Sequence, residues 1–278
     1  MIKVYSGNLR EAKHKLLKEL FLFDILRRYN IGTPKVVFKD TEGELIGRPF
    51  LVKQWIYGES ADKIIERSYC SLPCIKLISK TLVKVHKVPL DVIDKSLFKI
   101  PKNIHERIIS ELMLIKVLSK RLKLRLDSVL SWLKDNIPRS KRLVLLHGDY
   151  NLDNILIDKR LKLYLVDLES AKVGDPMDDL SYSYIFLKFK ERQSRKLRGI
   201  APKFLLEYGS CLPIDYDMLE YYRLFNATKL MVFLIYLRKY LVKKYLILYP
   251  LLDTLFLRPM INYLKEIIKS YIPGIEVL

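Results

Sequence analysis

The run His147-Gly148-Asp149-Tyr150-Asn151-Leu152-Asp153-Asn154, followed by Asp167 thirteen residues past Asn154, constrains this chain more than any other feature. Three apolar segments, 143–146, 155–157 and 161–166, carry it. That order predicts a strand, a polar loop and a short hairpin that ends on an acid. Asp149, Asn154 and Asp167 then sit on loops fixed by short strands, which hold polar groups still while leaving them open to solvent.

At 278 residues the chain can bury a sizeable core, as one large domain or two lobes, and its 50% hydrophobic content excludes a disordered polymer. Its longest apolar stretch, Leu230–Leu237, stops at Arg238-Lys239. That is too short to cross a bilayer, so no membrane span is expected. The first residues already alternate as a strand rather than forming a signal peptide, and a cytoplasmic protein is expected. Cys70, Cys74 and Cys211 are too few and too scattered for a disulfide framework, and no second Cys or His pair turns Cys70 and Cys74 into a zinc site. The formal charge of +19 attracts polyanions such as nucleotides and RNA. The Lys and Arg residues are nevertheless spread along the whole chain with no nucleic-acid-binding motif, so a nucleic-acid partner stays possible but unsupported.

Along the chain, 2–5 alternate as a strand and 11–29 have helical periodicity, with Leu16, Leu17, Leu20, Phe23 and Leu26 on one face. Segments 36–38 and 49–55 predict strands, and Ser60 is placed to cap a short helix starting at Ala61. Helical patterns follow over 72–88, 104–137 with a break near 125–128, 179–190, 216–245 and 251–271.

His-Gly-Asp-x-x-x-x-Asn, then Asp167-Leu168-Glu169 and Gly174-Asp175-Pro176-Met177-Asp178-Asp179-Leu180, resembles the aminoglycoside phosphotransferase and choline kinase family. The resemblance is clear over 143–185 and weaker back to the N-terminus. It implies an α+β, protein-kinase-like two-lobed fold, with a truncated N-lobe over 1–57 and a helix-rich C-lobe over 58–278. It also implies ATP (or GTP) and Mg²⁺ as cofactors and the hydroxyl of a small molecule as acceptor. In such enzymes one carboxylate meets the acceptor hydroxyl, while a carboxamide and a second carboxylate hold the metal on the phosphates. Asp149 takes the first role, and Asn154 and Asp167 the second. Lys3 corresponds to the lysine that contacts the phosphates, and Glu19, in competition with Glu11, to the glutamate that orients it. The Gln54 carbonyl and Ile56 amide would face the nucleobase at the hinge.

His147 is expected to support the loop, Gly148 to let the backbone turn Asp149 into the cleft, Asp175 to bond backbone, and Asp179 to cap a helix or brace the loop. Glu169 is open between a metal-bound water and a solvent-exposed turn. No phosphate-covering loop precedes Lys3, which leaves either an upstream start or an open nucleotide site. The helices after residue 178 are rich in Lys and Arg, so a neutral or anionic acceptor is expected rather than a polycation. An acidic cluster at Glu207, Asp215, Asp217 and Glu220 is the feature that would reverse this. Two alternatives remain: a catalytically impaired kinase-like binding module, and an atypical protein- or RNA-associated kinase.

Overall fold

The computed structural model describes residues 1–67, 71–139, 142–241 and 252–274. Strand β1 (Ile2–Val4) leads into helix α1 (Leu9–Arg28), which Asn8 caps by accepting the Glu11 N–H at 2.9 Å. Strands β2 (Val36–Asp40) and β3 (Phe50–Lys53) complete an antiparallel sheet in the order β1-β3-β2, with Lys3 opposite Leu51. The buried face of α1 comprises Leu16, Leu22, Phe23, Ile25 and Leu26, together with Glu19. Leu17 and Leu20, expected on that face, are only partly buried. A carboxylate therefore occupies the middle of the face that the helix turns inward.

Strand β4 (Gly58–Ser60) then leaves this sheet and pairs with β6 (Ile155–Asp158), which forms a hairpin with β7 (Leu163–Leu165). The apolar segment at 143–146 forms β5 (Val144–Leu146) and pairs with β8 (Lys172–Gly174) rather than with the hairpin. Helix α2 (Ala61–Arg67) follows β4, and α3 (Ser71–His86) follows it. The helical pattern over 104–137, with its expected break near 125–128, forms two helices, α4 (Ile104–Leu122) and α5 (Asp127–Asp135), and the break begins where Lys123 adopts a left-handed conformation. Helices α6 (Pro176–Gln193), α7 (Ile200–Gly209) and α8 (Tyr216–Leu241) make up the body, with α6 along α8 and α3 against α7. A π-helical turn at Asp253–Leu257 precedes α9 (Arg258–Tyr271), which packs on α8. Cys70 and part of the expected 216–245 helix lie outside the described residues. No helix among the described residues is long and apolar enough to cross a membrane.

Two adjacent acids at the start of α6 tie the body together. Asp178 accepts from Arg107 of α4 at 2.9 Å, pairs with Lys172 of β8 at 2.9 Å, and receives Asn226 of α8 at 3.0 Å. Glu111 joins the same network through Arg107, Lys172 and Lys229. Burial works to raise the Asp178 pKa, but the charges of Lys172, Lys229 and Arg107 outweigh it and bring it down to about 2.

Candidate active site

The loop after β5 is held from below by Asp179. Its carboxylate accepts the backbone N–H groups of His147 at 2.7 Å and Gly148 at 2.8 Å, and also meets His86 Nε2 at 3.3 Å. Asp179 thus braces the loop, and Asp175 caps α6 by accepting the Met177 N–H at 2.8 Å. His86 is buried support, bonded on its other nitrogen to Tyr208 at 2.8 Å. His147 is buried and accepts the Asp149 N–H on Nδ1 at 3.4 Å, as expected of a loop-supporting residue. Burial holds its pKa below the usual imidazole value despite the nearby Asp179 charge. Gly148 has φ +78°, and a Cβ there would stand 2.1 Å from the Ser170 carbonyl oxygen. No other residue fits that turn.

Three side chains hold the Asp149 carboxylate. Tyr182 donates to Oδ1 at 2.5 Å, Asn151 donates to Oδ1 at 2.8 Å, and the Asn154 amide donates to Oδ2 at 2.8 Å. Asp149 lines a cavity of about 460 Å³, with Asp62, Asp153, Tyr182 and Lys190 also on its walls. Asn154 opens the β6–β7 hairpin, and its carbonyl accepts the Val166 N–H at 3.0 Å, which brings it beside the residue preceding Asp167. Asp167 is left-handed, with φ 58° and ψ 63°. For a non-glycine residue this costs on the order of 1–3 kcal/mol, and such strain concentrates at functional positions.

On the other side of the cleft, Lys3 Nζ lies 2.8 Å from carboxylate oxygens of Glu19, Asp167 and Glu169 alike. Glu19 is the acid that meets Lys3; Glu11 stays in the first turn of α1. Burial disfavours the Lys3 ammonium, but the Glu19 charge and the hydrogen bonds to Asp167 and Glu169 hold its pKa above the usual lysine value. Glu169 is thereby a Lys3 partner rather than a solvent acid. Lys18 of α1 donates to the Glu169 carbonyl at 3.0 Å, and burial followed by the Lys172 charge pushes its pKa down to about 8. At the hinge the Gln54 N–H donates to the Lys35 carbonyl at 2.8 Å, and neither the Gln54 carbonyl nor the Ile56 N–H has a hydrogen bond among the described residues.

Sequence reasoning missed Lys53 and Tyr182. Lys53 ends β3 immediately before the hinge, is 2% exposed, and reaches the other oxygen of Glu19 at 3.1 Å. Glu19 thus accepts from Lys3, Lys53 and the Tyr5 hydroxyl at 2.6 Å. The acids at 207–220 do not line the cavity. Glu207 pairs with Lys203, Asp215 caps α8, and Glu220 binds Arg223 and the Tyr271 hydroxyl. Tyr221 and Tyr222 are buried packing residues.

Among the described residues no three His, Cys, Asp or Glu side chains are grouped to hold a metal by themselves. Asn154 and Asp167 nevertheless fit a hard divalent cation that also has phosphate ligands. Asn154 uses its amide nitrogen on Asp149, and Lys3 takes one Asp167 oxygen. Each residue therefore has an oxygen left to offer.

A strand-borne lysine held by a helical glutamate, facing a loop carboxylate and a hairpin carboxylate, defines a protein-kinase-like phosphotransferase. The model of the phosphotransferase enzyme family (APH) matches residues 3–207, and the chain belongs to that family. It superposes on a Ralstonia eutropha JMP134 protein assigned as an aminoglycoside phosphotransferase, with a TM-score of 0.70, 17% identity, and coverage of 92% of this chain and 84% of that one. A Plasmodium vivax ethanolamine kinase gives a TM-score of 0.59 at 15% identity, over 97% of this chain and 74% of that one. The GDP and kanamycin complex of APH(2")-IIia gives 0.59 at 13% identity, over 98% and 94%. At these identities the superpositions speak for the fold. In sequence, 185 residues (64% of the chain) are 24% identical to mouse (Mus musculus) acyl-CoA dehydrogenase family member 10, and they span 17% of that protein.

Proposed function

We propose that the protein transfers the γ-phosphoryl group of ATP or GTP, with Mg²⁺, to a hydroxyl of a small molecule. One observation carries this reading. Lys3, 164 residues from Asp167 in sequence, meets its carboxylate at 2.8 Å, and Asn154, at the opposite end of the hairpin that leads to Asp167, holds Asp149 at 2.8 Å. Asp149 orients the acceptor hydroxyl and takes its proton, with its own orientation fixed by Asn151, Asn154 and Tyr182. Asn154 and Asp167 are the metal ligands, and when bound the metal neutralises charge on the phosphates. Lys3, oriented by Glu19, meets phosphate oxygens, and the free Gln54 carbonyl and Ile56 N–H read the edge of the base. Related folds crystallised with GDP and with AMP support a nucleotide in this cleft. The pairing of β4 with β6 supports a division into lobes at residues 57 and 58. A nucleoside triphosphate donor also favours a cytoplasmic location.

Titration calorimetry with ATP and GTP, with and without Mg²⁺, tests the reading. Asp149→Asn is expected to abolish turnover while keeping nucleotide binding. Asp167→Ala is expected to lose the Mg²⁺-dependent part of binding. Metal-independent binding, or equal effects of the two substitutions on binding, refutes the assignment. Tight Mg²⁺-nucleotide binding without turnover on any acceptor supports the alternative of a kinase-like binding module.

A further inference from the structure

We propose that the acceptor is an amphipathic amino alcohol, with a compact apolar body and one basic nitrogen, rather than a sugar or a polyamine. The proposal rests on the phosphotransferase reading and specifies what enters the cavity lined by Asp149. That cavity, about 460 Å³, has Asp149 on its wall and therefore lies where an acceptor hydroxyl must arrive.

One side of it is apolar. Phe186 and Phe189 come from α6, Leu230, Phe233 and Leu234 from α8, and Phe256 from the π-helical turn. Phe186 and Tyr182 have ring centroids 5.0 Å apart, and Phe189 and Phe256 meet edge-on at 6.1 Å. Phe233 is 52% exposed although it lies on this wall. A wall of this kind binds by releasing water from apolar surface. It offers no partners to the ring hydroxyls of a sugar, each of which would lose its water without replacement.

The other side is acidic, in a protein of net charge +19. Among the described residues the cavity is lined by Asp62, Asp149 and Asp153 against a single cation, Lys190. Lys190 is already held by Asp62 at 2.8 Å and Glu66 at 3.0 Å. Both Asp149 oxygens accept hydrogen bonds from Tyr182, Asn151 and Asn154. Among the described residues the Asp153 carboxylate has no side-chain hydrogen bond or ion pair; only its backbone N–H is engaged, with Asn151 at 3.0 Å. One disengaged carboxylate suits one ammonium group, and aromatic rings line the same cavity, a setting that also favours a cation. Several ammonium groups would find no further acids among the described residues that line the cavity, since Glu207, Asp215, Asp217 and Glu220 are not on its walls. A neutral or anionic acceptor, expected from the basic composition of the later helices, would meet Lys190 among the described lining residues, a cation already paired with Asp62 and Glu66.

In the transfer, the acceptor oxygen bonds to the γ-phosphorus as the bond from that phosphorus to the β–γ bridging oxygen breaks. The hydroxyl proton passes to Asp149, and the electron pair leaves with the nucleoside diphosphate.

The test uses phenylalaninol, 3-phenylpropan-1-ol, ethanolamine, glucose and kanamycin in a nucleotide-consumption assay, with calorimetric binding in parallel. The kcat/KM for phenylalaninol is expected to exceed that for 3-phenylpropan-1-ol and for ethanolamine by at least tenfold each. Phe233→Ala should reduce the phenylalaninol-to-ethanolamine ratio about tenfold. Asp153→Asn should reduce the phenylalaninol-to-phenylpropanol ratio by a similar factor. Better turnover of glucose or kanamycin, or equal losses on all acceptors in both variants, overturns the proposal. If phenylalaninol binds with this dependence on Phe233 and Asp153 but no nucleotide is consumed, the acceptor class stands and the phosphotransferase reading fails. Absence of both binding and turnover with phenylalaninol overturns the acceptor class itself.

Discussion

Replacing Lys53 with Met separates the two lysines that share Glu19. Lys53 is 2% exposed and Glu19 is fully buried, so their interaction lies out of water. Removing one partner of a buried pair costs about 3–5 kcal/mol when the remaining charge is left uncompensated. In Lys53→Met the Glu19 carboxylate keeps Lys3 at 2.8 Å and the Tyr5 hydroxyl at 2.6 Å. Met also retains most of the side-chain volume packed beside the Phe23 ring. The expected loss is therefore below that range, about 2 kcal/mol. Glu19→Gln instead leaves the Lys53 ammonium buried without a carboxylate and should take the full penalty, about 4 kcal/mol. In a chain of this size 1 kcal/mol moves Tm by about 2 °C. Scanning calorimetry should then show Tm lowered by about 4 °C in Lys53→Met and by about 8 °C in Glu19→Gln. Lys53→Met should also raise the nucleotide KM about tenfold, a change of ~1.4 kcal/mol, because Lys3 becomes the sole ammonium on Glu19 and is less available to phosphate. A loss in Lys53→Met equal to or greater than that in Glu19→Gln would refute the shared-carboxylate account. So would an unchanged KM.

Gly148→Ala puts a Cβ 2.1 Å from the Ser170 carbonyl oxygen at a positive φ. Turnover should fall on the order of 100-fold as the loop shifts, with Tm lowered by several degrees, read by kinetics and circular dichroism. Tyr182→Phe removes a donor from Asp149, and kcat should drop about tenfold with the nucleotide KM unchanged, since a hydrogen bond to a charged group contributes about 1.5–3 kcal/mol. Asp178, with its pKa lowered to about 2, contributes stability that is complete above the ordinary carboxylate pKa and is lost as pH falls from about 4 through about 2. Acid unfolding followed by urea titration should show this component, about 2 kcal/mol, and Asp178→Asn should remove its pH dependence.

Asp149, Asn154 and Asp167 were legible because their spacing is local and the strands that carry them are short apolar runs. Glu19 was legible from its helical offset, but its burial was not. Periodicity counts apolar residues, and the α1 face closes around a carboxylate only because two lysines from the sheet arrive there. Lys53 gave no signal for the same reason: a lysine in an apolar strand looks like an exposed position unless its partner is known. The pairing of Gly58–Ser60 with β6 joins segments about a hundred residues apart, and that register is fixed by tertiary contact rather than local pattern. The lining of the cavity beside Asp149 was not legible because composition averages over a helix. The cations of α8 largely face other elements, with Lys229 on Glu111 and Arg238 on Asp253.

The neighbouring acids Asp178 and Asp179 engage different partners from the first turn of α6. Asp178 is anchored in the cations of α4 and β8, and Asp179 carries the N–H groups of His147 and Gly148. Any rotation of that turn must move both at once, so the pair works as a rivet between the α4–β8 network and the loop that carries Asp149. Damage to that network then has a route into the loop. Exchanging Glu111 or Lys229, neither of which lines the cavity beside Asp149, loosens one head of the rivet and is expected to let that loop drift. Such variants should be found among those that lose turnover while still binding nucleotide.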